Sequence, residues 1–386
     1  MRKIALLSFF SLIICSSVLN AQSSGSSETK TFQLTLVTPL GTNGTNSPFT
    51  INKFSVNILA GYHAGFRGVE LGGLANLNRN FAEGAQLAGL VNFTGGYLQG
   101  AQFAGIANVN TEETRGFQGA GIGNFTLGYS NAVQLAGIVN IADEIEGLQA
   151  GGILNASIGG INGVQLAGIV NLSLNSKGAQ IAGITNVSEH IDGAQIAGIL
   201  NVAESVQGLQ LGLLNIADTI KSGVPIGFLS IVRHGYRDVE IGISEGLNAY
   251  GSFKIGVPAF YNIFSVGSQF ISDDFRWGFG YGIGTHLTNQ ENFKINLEAM
   301  TYQINEGTNW TEAYNGLQQL KLTFSGGKKE NLQFFAGPTI NVMVSEYIND
   351  DGTIGSKFPP YYITNHYSGK TNIRTWLGFS AGIRIH

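Results

Sequence analysis

Side-chain amides are the chemically active groups that return at a fixed spacing in this chain. A Gln, or Glu70 at the first position, recurs every 15 or 16 residues, and an Asn follows it after six residues, with Asn215 arriving one residue early. An amide donates and accepts hydrogen bonds, but it is neither an acid nor a base near neutral pH. The spacing therefore predicts stacked rows of hydrogen-bonded amides, a structural ladder rather than a catalytic site. The predicted ladder residues are Gln86, Gln102, Gln118, Gln134, Gln149, Gln165, Gln180, Gln195, Gln210, Asn76, Asn92, Asn108, Asn124, Asn140, Asn155, Asn171, Asn186, Asn201 and Asn215.

The other residues capable of chemistry form no pattern typical of an enzyme. The six histidines are scattered without metal-ligand spacing. The string Trp277-Gly-Phe-Gly-Tyr-Gly-Ile-Gly-Thr285 alternates glycine with large residues and lacks the strand-helix context of a nucleotide-binding loop, so a strand with its large side chains on one face is the better interpretation. No Ser-His-Asp order, paired-carboxylate site or Gly-x-Ser-x-Gly elbow at a strand-to-helix turn stands out. We therefore expect a non-enzymatic protein with no catalytic, cofactor-binding or metal-binding residues.

Acidic residues recur in the pieces that connect the repeats, and stacking would align them into a ridge. Solubility explains such a ridge, and weak binding of divalent cations is the alternative. The residues concerned are Asp143, Glu144, Glu146, Glu189, Asp192, Glu204 and Asp218.

The element that positions the amides is a short strand within each repeat. Residues 164–173 alternate with period two, which predicts a strand with two distinct faces. The predicted faces are Val164, Leu166, Gly168, Val170 and Leu172 on one side and Gln165, Ala167, Ile169, Asn171 and Ser173 on the other. Glycines in every window disfavour a helix. We expect Gly183 and its equivalents to allow a close approach or tight corner.

Two all-β architectures fit a unit of this length. In a β-solenoid each repeat is one coil, and identical residues stack in parallel. In a transmembrane barrel each repeat is one spanning strand, and neighbours run antiparallel. Residues 130–227 contain no Phe, Tyr or Trp, the connecting pieces are similar in size, and the residue order is constant. These features favour a 15–16-residue repeat β-solenoid followed by an outer-membrane-type antiparallel barrel, with one large barrel of about 22 strands as the alternative.

The segment after the repeats predicts the antiparallel barrel. Aromatic residues return after Tyr236, and a long polar loop lies between Ser345 and Asn372. Long loops on one side are typical of outer-membrane barrels, although a soluble β-sandwich uses similar strands. The eight predicted strands are residues 236–244, 248–256, 262–271, 276–288, 293–303, 317–325, 332–344 and 373–385. Two N-terminal strands, at residues 31–40 and 53–62, could complete the barrel.

Composition and the first residues indicate export. Charged residues make up only 12% of the chain, the net charge is −4 and no long basic run exists, so we expect no nucleic-acid partner. Arg2 and Lys3 precede an apolar run, and Ala21 ends a plausible cleavage site. Cys15, the one cysteine, lies inside this run, so the processed chain has no disulfide or metal-thiolate site. The predicted regions are a signal peptide (1–21), a spacer with two strands (22–60), the repeat array (61–232) and an aromatic-rich barrel-like region (233–386).

The repeats also support a family resemblance. The phrase Gly193-Ala-Gln-Ile-Ala-Gly-Ile-Leu-Asn201 and its copies, with the flanking Gly223-Val-Pro-Ile-Gly-Phe-Leu-Ser230, resemble a family of bacterial surface-repeat proteins that carry signal peptides and are mostly uncharacterised. The resemblance implies the outer membrane or surface of a Gram-negative cell and carries no known site residue. The expected function is a structural or adhesion-like binding role of the repeat surface, and the alternative is a pore with the repeats as spanning strands. The expected partners are outer-membrane lipid and an envelope or extracellular protein or glycan.

Overall fold

Parallel strand pairing joins each repeat to the next. The computed structural model describes residues 27–271, 274–288, 293–329, 332–359 and 361–386, and the predicted signal peptide lies outside them. The chain is all-β, with a β-solenoid of about 11 coils followed by a closed antiparallel barrel of eight strands. The predicted fold class is therefore confirmed. The alternative of one large barrel is wrong, because the repeats pair in parallel.

The solenoid consists of strands that stack one coil upon the next, together with one 3-10 helix at Gly44–Phe49. Its strands are β1 (Glu28–Val37), β2 (Leu40–Gly41), β3 (Thr50–Gly72), β4 (Ala75–Ala88), β5 (Val91–Thr94), β6 (Tyr97–Ala104), β7 (Ala107–Asn110), β8 (Thr114–Ala120), β9 (Gly123–Ala136), β10 (Val139–Gly151), β11 (Leu154–Ala167), β12 (Val170–Ala182), β13 (Thr185–Ala197), β14 (Leu200–Leu211), β15 (Leu214–Ile226) and β16 (Leu229–Val232).

The N-terminal strands belong to the solenoid. β1 pairs in parallel with β3, and β3 pairs in parallel with β4 at the start of the repeats. The expectation that these strands could complete the barrel is therefore wrong. Their residues continue the parallel register of the repeats, so they add to the stack.

In each coil a glycine forms a corner between the segment that carries the Gln and the segment that carries the Asn, as Gly168 does between Gln165 and Asn171. We name these two segments the Gln arm and the Asn arm. A Cβ on Gly183 would lie 2.2 Å from the carbonyl oxygen of Gly168 in the preceding coil, which is too close for any side chain. The chain bends at Gly168 and Ile169, and this bend turns the Ile169 side chain outward, where 38% of it is exposed. The predicted placement of Ile169 on the face of Gln165 is wrong, because strict alternation fails at the corner.

Eight strands form the barrel, and a ninth pairs with its last strand. They are β17 (Tyr236–Ser244), β18 (Ala249–Val257), β19 (Phe260–Gln269), β20 (Arg276–His286), β21 (Phe293–Glu306), β22 (Asn315–Lys329), β23 (Leu332–Ser345), β24 (Thr364–Ser368) and β25 (Thr371–Ile385). Each strand of the ring pairs antiparallel with its neighbours, and the pairing of β17 with β25 closes the ring. β24 is not part of the ring and pairs antiparallel with the first residues of β25. The predicted strands match closely, and closure excludes the sandwich alternative.

Candidate functional surfaces

The predicted ladder residues line the interior of the solenoid. Each of them is at most 1% exposed. The side chain of Gln180 donates to Oε1 of Gln165 over 2.8 Å, and the side chain of Asn171 donates to Oδ1 of Asn186 over 3.0 Å. Asn171 also donates to the carbonyl of Ile181 over 2.8 Å. The amides thus compensate one another's burial, since an unpaired buried amide costs about 1–3 kcal/mol.

The two rows point their donors in opposite directions along the stack. Each Gln amide donates toward the N-terminal coils, and each Asn amide donates toward the C-terminal coils. The Gln row ends on Glu70, whose carboxylate accepts from Gln86 over 2.8 Å. Asn57, Asn78 and His63 also contact this carboxylate, and all of these groups are fully buried. Carboxylate oxygens accept hydrogen bonds, so Glu70 is a suitable terminus for a row of donors.

The outside of the solenoid is apolar over the two arms that meet at the glycine corner. This aliphatic sector has two columns of exposed side chains. The first column follows the Gln position and comprises Leu71, Leu87, Phe103, Leu135, Leu166, Ile181, Leu211 and Ile226. The second column follows the corner glycine and comprises Leu74, Leu90, Ile106, Ile122, Ile138, Ile153, Ile169, Ile184, Ile199, Leu213 and Phe228. On these two arms the polar groups face inward and the large apolar groups face outward, which is the reverse of an ordinary soluble protein.

Charged residues lie on the stretch that returns the chain from the Asn arm to the next Gln arm. Asp143, Glu189, Glu204 and the other predicted ridge residues are exposed there, except Asp218, which is partly buried. Cations interrupt the ridge, because Lys177 pairs in register with Asp192. We name this stretch the charged edge. The solenoid is therefore amphipathic along its whole length.

One tyrosine near the start of the array forms a hydrogen bond with a residue of this edge. The Tyr97 hydroxyl donates to Glu83 over 2.5 Å, and this hydrogen bond, with partial burial, raises the pKa of Tyr97 above its ordinary value. Arg67 lies 3.0 Å from the same carboxylate. The contacts link neighbouring coils through partly exposed side chains and add little stability.

Five charged side chains fill the middle of the barrel. Lys254 lies 2.6 Å from Glu240 and 2.5 Å from Glu298, and Arg384 lies 2.7 Å from Glu240. Lys321 lies 3.3 Å from Glu240 and 3.6 Å from Glu298. All five are at most 2% exposed. Sequence reasoning missed this cluster, because its members come from five strands and meet only when the barrel closes.

Large side chains occupy the remaining interior. The Tyr250 hydroxyl donates to Glu240 over 3.1 Å, and the Tyr261 hydroxyl donates to Glu298 over 2.9 Å. Near the end that carries the long connection, Phe358 packs against Trp376, and its carbonyl accepts from Gln269 over 3.0 Å. An eight-stranded barrel has an interior that side chains can just fill. The interior is accordingly a packed core rather than an open channel.

The glycine string of β20 makes room for that core. Its glycines face inward, where a Cβ on Gly282 would lie 2.0 Å from Sδ of Met300 and one on Gly280 would lie 2.5 Å from the Tyr302 ring. Phe279 and Ile283 face outward. The interpretation as a strand with its large side chains on one face is confirmed by this arrangement.

The outer wall of the barrel is apolar. Charged and hydroxyl side chains alternate inward along the strands, while aliphatic and aromatic ones alternate outward, each between 39% and 65% exposed. The outward residues are Val239, Ile241, Ile243, Phe253, Val266, Phe279, Ile283, Leu320, Phe324, Phe334, Ile340, Leu377, Phe379 and Ile385. The two ends differ: Pro258 and Ala259 alone join β18 to β19 at one end, and the long connection between β23 and β25 lies at the other.

The last coil of the solenoid contacts this wall. Asn262 on β19 accepts from the backbone N–H of Ser230 over 2.8 Å, and its amide donates to the carbonyl of Gly227 over 2.9 Å. The Tyr281 hydroxyl donates to the carbonyl of Phe228 over 3.0 Å. Phe228 also makes an edge contact with Phe264, at 6.5 Å between centroids. The barrel wall thus caps the open end of the stack.

Comparison with protein-family models, with curated proteins and with solved structures finds no match to this chain. The resemblance to surface-repeat proteins therefore stays a prediction. Within the described ranges, no three or more His, Asp or Glu side chains are grouped so that they could hold a metal ion. No helix among the described residues is long and apolar enough to cross a bilayer.

Proposed function

We propose that this chain is a non-enzymatic outer-membrane protein of the Gram-negative envelope, in which the barrel is the anchor and the solenoid is a structural or binding element. The observation that carries the proposal is the distribution of polarity in the barrel. Its wall is apolar around the ring, and its charges are inside, paired with one another.

This distribution fits a hydrocarbon solvent. In a bilayer every backbone polar group must be paired within the protein, which a closed ring of strands achieves. Lipid-facing side chains must be apolar, whereas inward side chains can be polar. In water the same wall would expose a large apolar surface on all sides, which soluble monomers rarely do. Long connections at one end and a two-residue turn at the other are also typical of outer-membrane barrels.

The barrel serves as an anchor rather than as a pore. Its interior holds Trp376, Tyr302 and the five charged side chains, each at most 2% exposed. The pore hypothesis required the repeats to be antiparallel spanning strands, and they stack in parallel instead. We therefore favour lipid as the partner of the barrel, and an envelope or extracellular protein or a glycan remains a candidate partner of the solenoid.

Membrane insertion is tested on the full-length protein expressed in a Gram-negative host. The folded protein should fractionate with outer membranes, resist carbonate extraction and migrate differently on gels before and after boiling, as closed barrels do. A matched pair of variants sharpens the test: Phe334→Asp places a negative charge on the wall, and Lys177→Asp places a negative charge on the charged edge, where it replaces a positive one. Membrane recovery should fall only for Phe334→Asp, because a charged side chain on the lipid-facing wall destabilises the inserted barrel. Recovery of the wild-type protein in the soluble fraction would contradict the proposal.

A further inference from the structure

We infer that the solenoid lies along the membrane that holds the barrel, with its aliphatic sector in contact with lipid and its charged edge in water. The inference rests on the proposed function, because it requires the barrel to be inserted. It assigns a partner, lipid, to a surface that the anchor role leaves unexplained.

The first observation is the separation of charge along the stack. Both columns of the aliphatic sector are free of Asp, Glu, Lys and Arg, whereas the charged edge carries such residues in most coils. With coils about 4.8 Å apart, the sector runs for about 50 Å. An element with one continuous apolar face and one charged face is suited to the boundary between hydrocarbon and water.

The second observation is that the aliphatic sector is continuous with the barrel wall. Its last member, Phe228, stacks on Tyr281, with 4.8 Å between ring centroids. Tyr281 and Phe264 pair across β19 and β20 and point outward from the barrel, as Val266 does with 63% of its side chain exposed. The same apolar surface therefore passes from the barrel onto the solenoid without an intervening charge.

The third observation is the position along the barrel axis at which the solenoid contacts the wall. Asn262 is the third residue of β19, which begins directly after the two-residue turn at Pro258 and Ala259. The solenoid thus joins the barrel near the end with the short turn, and short turns face the periplasm in outer-membrane barrels. This places the aliphatic sector at the inner leaflet.

The fourth observation is the shape and chemistry of the sector. A shallow groove of about 630 Å³ runs across the first coils, between Leu71, Leu87 and Phe103 and the small residues of the corner, such as Gly89 and Gly105. Apart from Asn57 and Phe103, the lining of the groove is aliphatic or glycine, and in the later coils residues 130–227 contain no aromatic residue. Protein interfaces are enriched in aromatic residues and Arg. A row of aliphatic side chains beside the small residues of the corner suits contact with flexible acyl chains better than contact with a protein.

The inference is tested with an environment-sensitive fluorophore on single cysteines in the full-length protein. The background carries Cys15→Ala, and the protein is reconstituted in vesicles of phosphatidylethanolamine and phosphatidylglycerol. Labels at Ile169→Cys and Leu166→Cys report the aliphatic sector, Lys177→Cys reports the charged edge, and Phe334→Cys reports the barrel wall. Quenching by nitroxide-labelled lipid measures contact with acyl chains, and quenching by a water-soluble reagent measures exposure to water.

We expect blue-shifted emission and lipid quenching at Ile169, Leu166 and Phe334, and quenching from water at Lys177. If Phe334 is quenched by lipid while Ile169 and Leu166 behave like Lys177, the inference is wrong and the anchor role stands. If Phe334 is not quenched by lipid, the proposed function fails and the inference fails with it. If Ile169 is shielded from both quenchers and Ile169→Cys chains cross-link in pairs, a second copy covers the sector and the inference is overturned.

Discussion

The ring of Phe228 lies 4.8 Å from the ring of Tyr281, and their planes differ by only 21°. This pair joins the last coil of the solenoid to the outside of the barrel. It works together with Asn262, whose amide donates to the Tyr281 hydroxyl over 2.8 Å. Stacking of this kind contributes about 0.5–1.5 kcal/mol beyond the area it buries. The joint is therefore local, and weakening it should affect orientation before it affects folding.

Changing Phe228→Ala should loosen the solenoid on the barrel. The stacked pair is lost, while the paired strands of both units are untouched. Spin labels at Lys221 and Val266 should give a broader distribution of distances, with the melting of the barrel unchanged. Val239→Ala, on the wall away from the joint, is the control and should leave the distribution as narrow as in the parent. An unchanged distribution for Phe228→Ala would mean that the ring does not hold the joint.

Changing Asn171→Leu should destabilise the solenoid. The substitution removes the acceptor for the Asn155 amide and the donor to the Asn186 and Ile181 oxygens. Each buried group left without a partner costs about 1–3 kcal/mol. Urea unfolding followed by circular dichroism should show a lower midpoint. Asn162→Leu changes an exposed Asn outside the rows and should leave the midpoint unchanged; equal midpoints for both variants would show that the Asn row does not stabilise the stack.

Changing Gly183→Ala should also destabilise the solenoid, for a steric reason. The new methyl group would meet the Gly168 carbonyl at 2.2 Å, so the two coils must separate at the corner. At Gly159, in a return stretch, the nearest atom would be the Asp143 carbonyl oxygen, 3.3 Å away, a tight contact that a shift of a few tenths of an ångström relieves. Gly183→Ala should therefore lower the melting temperature more than Gly159→Ala does, and similar melts for the two variants would contradict the corner geometry.

Charge balance predicts an asymmetry inside the barrel. In the central cluster three cations face two carboxylates, so Lys254→Met leaves equal numbers of the two charges in the cluster and Glu298→Gln leaves a surplus of positive charge. Removing one member of a buried ion pair costs about 3–5 kcal/mol when it strands a charge. Glu298→Gln should therefore unfold at a clearly lower temperature in detergent than Lys254→Met. The reverse order would show that the cluster is not balanced in this way.

The position of the long connection predicts the sidedness of labelling. Asp351 lies in the connection between β23 and β25, and hydrogen bonds from Thr353 lower its pKa. Lys177 lies on the charged edge of the solenoid. A membrane-impermeant maleimide should label Asp351→Cys in intact cells and Lys177→Cys only after the outer membrane is permeabilised. Labelling of Lys177→Cys in intact cells would place the solenoid on the outside.

The amide rows and the barrel strands could be predicted because both depend on local patterns. Gln165 and Asn171 recur at a spacing that only parallel stacking can keep in register. The barrel strands β17–β23 and β25 alternate inward and outward residues. The orientation of Ile169 could not be predicted by alternation, because the corner at Gly168 changes which side of the chain faces inward.

The meeting of charges in the barrel could not be predicted for a different reason. Glu240 and Arg384 are hydrogen-bonded, yet they lie on the first and last strands of the ring. Their contact depends on closure and on the register of every strand between them. The sequence does contain one signal for these residues, which is a single charged residue between two apolar residues of a strand, as at Lys321 between Leu320 and Leu322. Such a charge predicts an inward direction, but it does not identify its partner.

The cap that Asn262 places on the last coil has a consequence for how this architecture can vary. Asn262 satisfies the N–H of Ser230, and the remaining coils contact only their neighbours. Duplication or loss of one whole repeat in the gene would therefore leave the capped end and the barrel unchanged, and would alter the reach of the solenoid by about 4.8 Å. Length is thus a property that evolution can adjust in uniform steps, independently of the anchor.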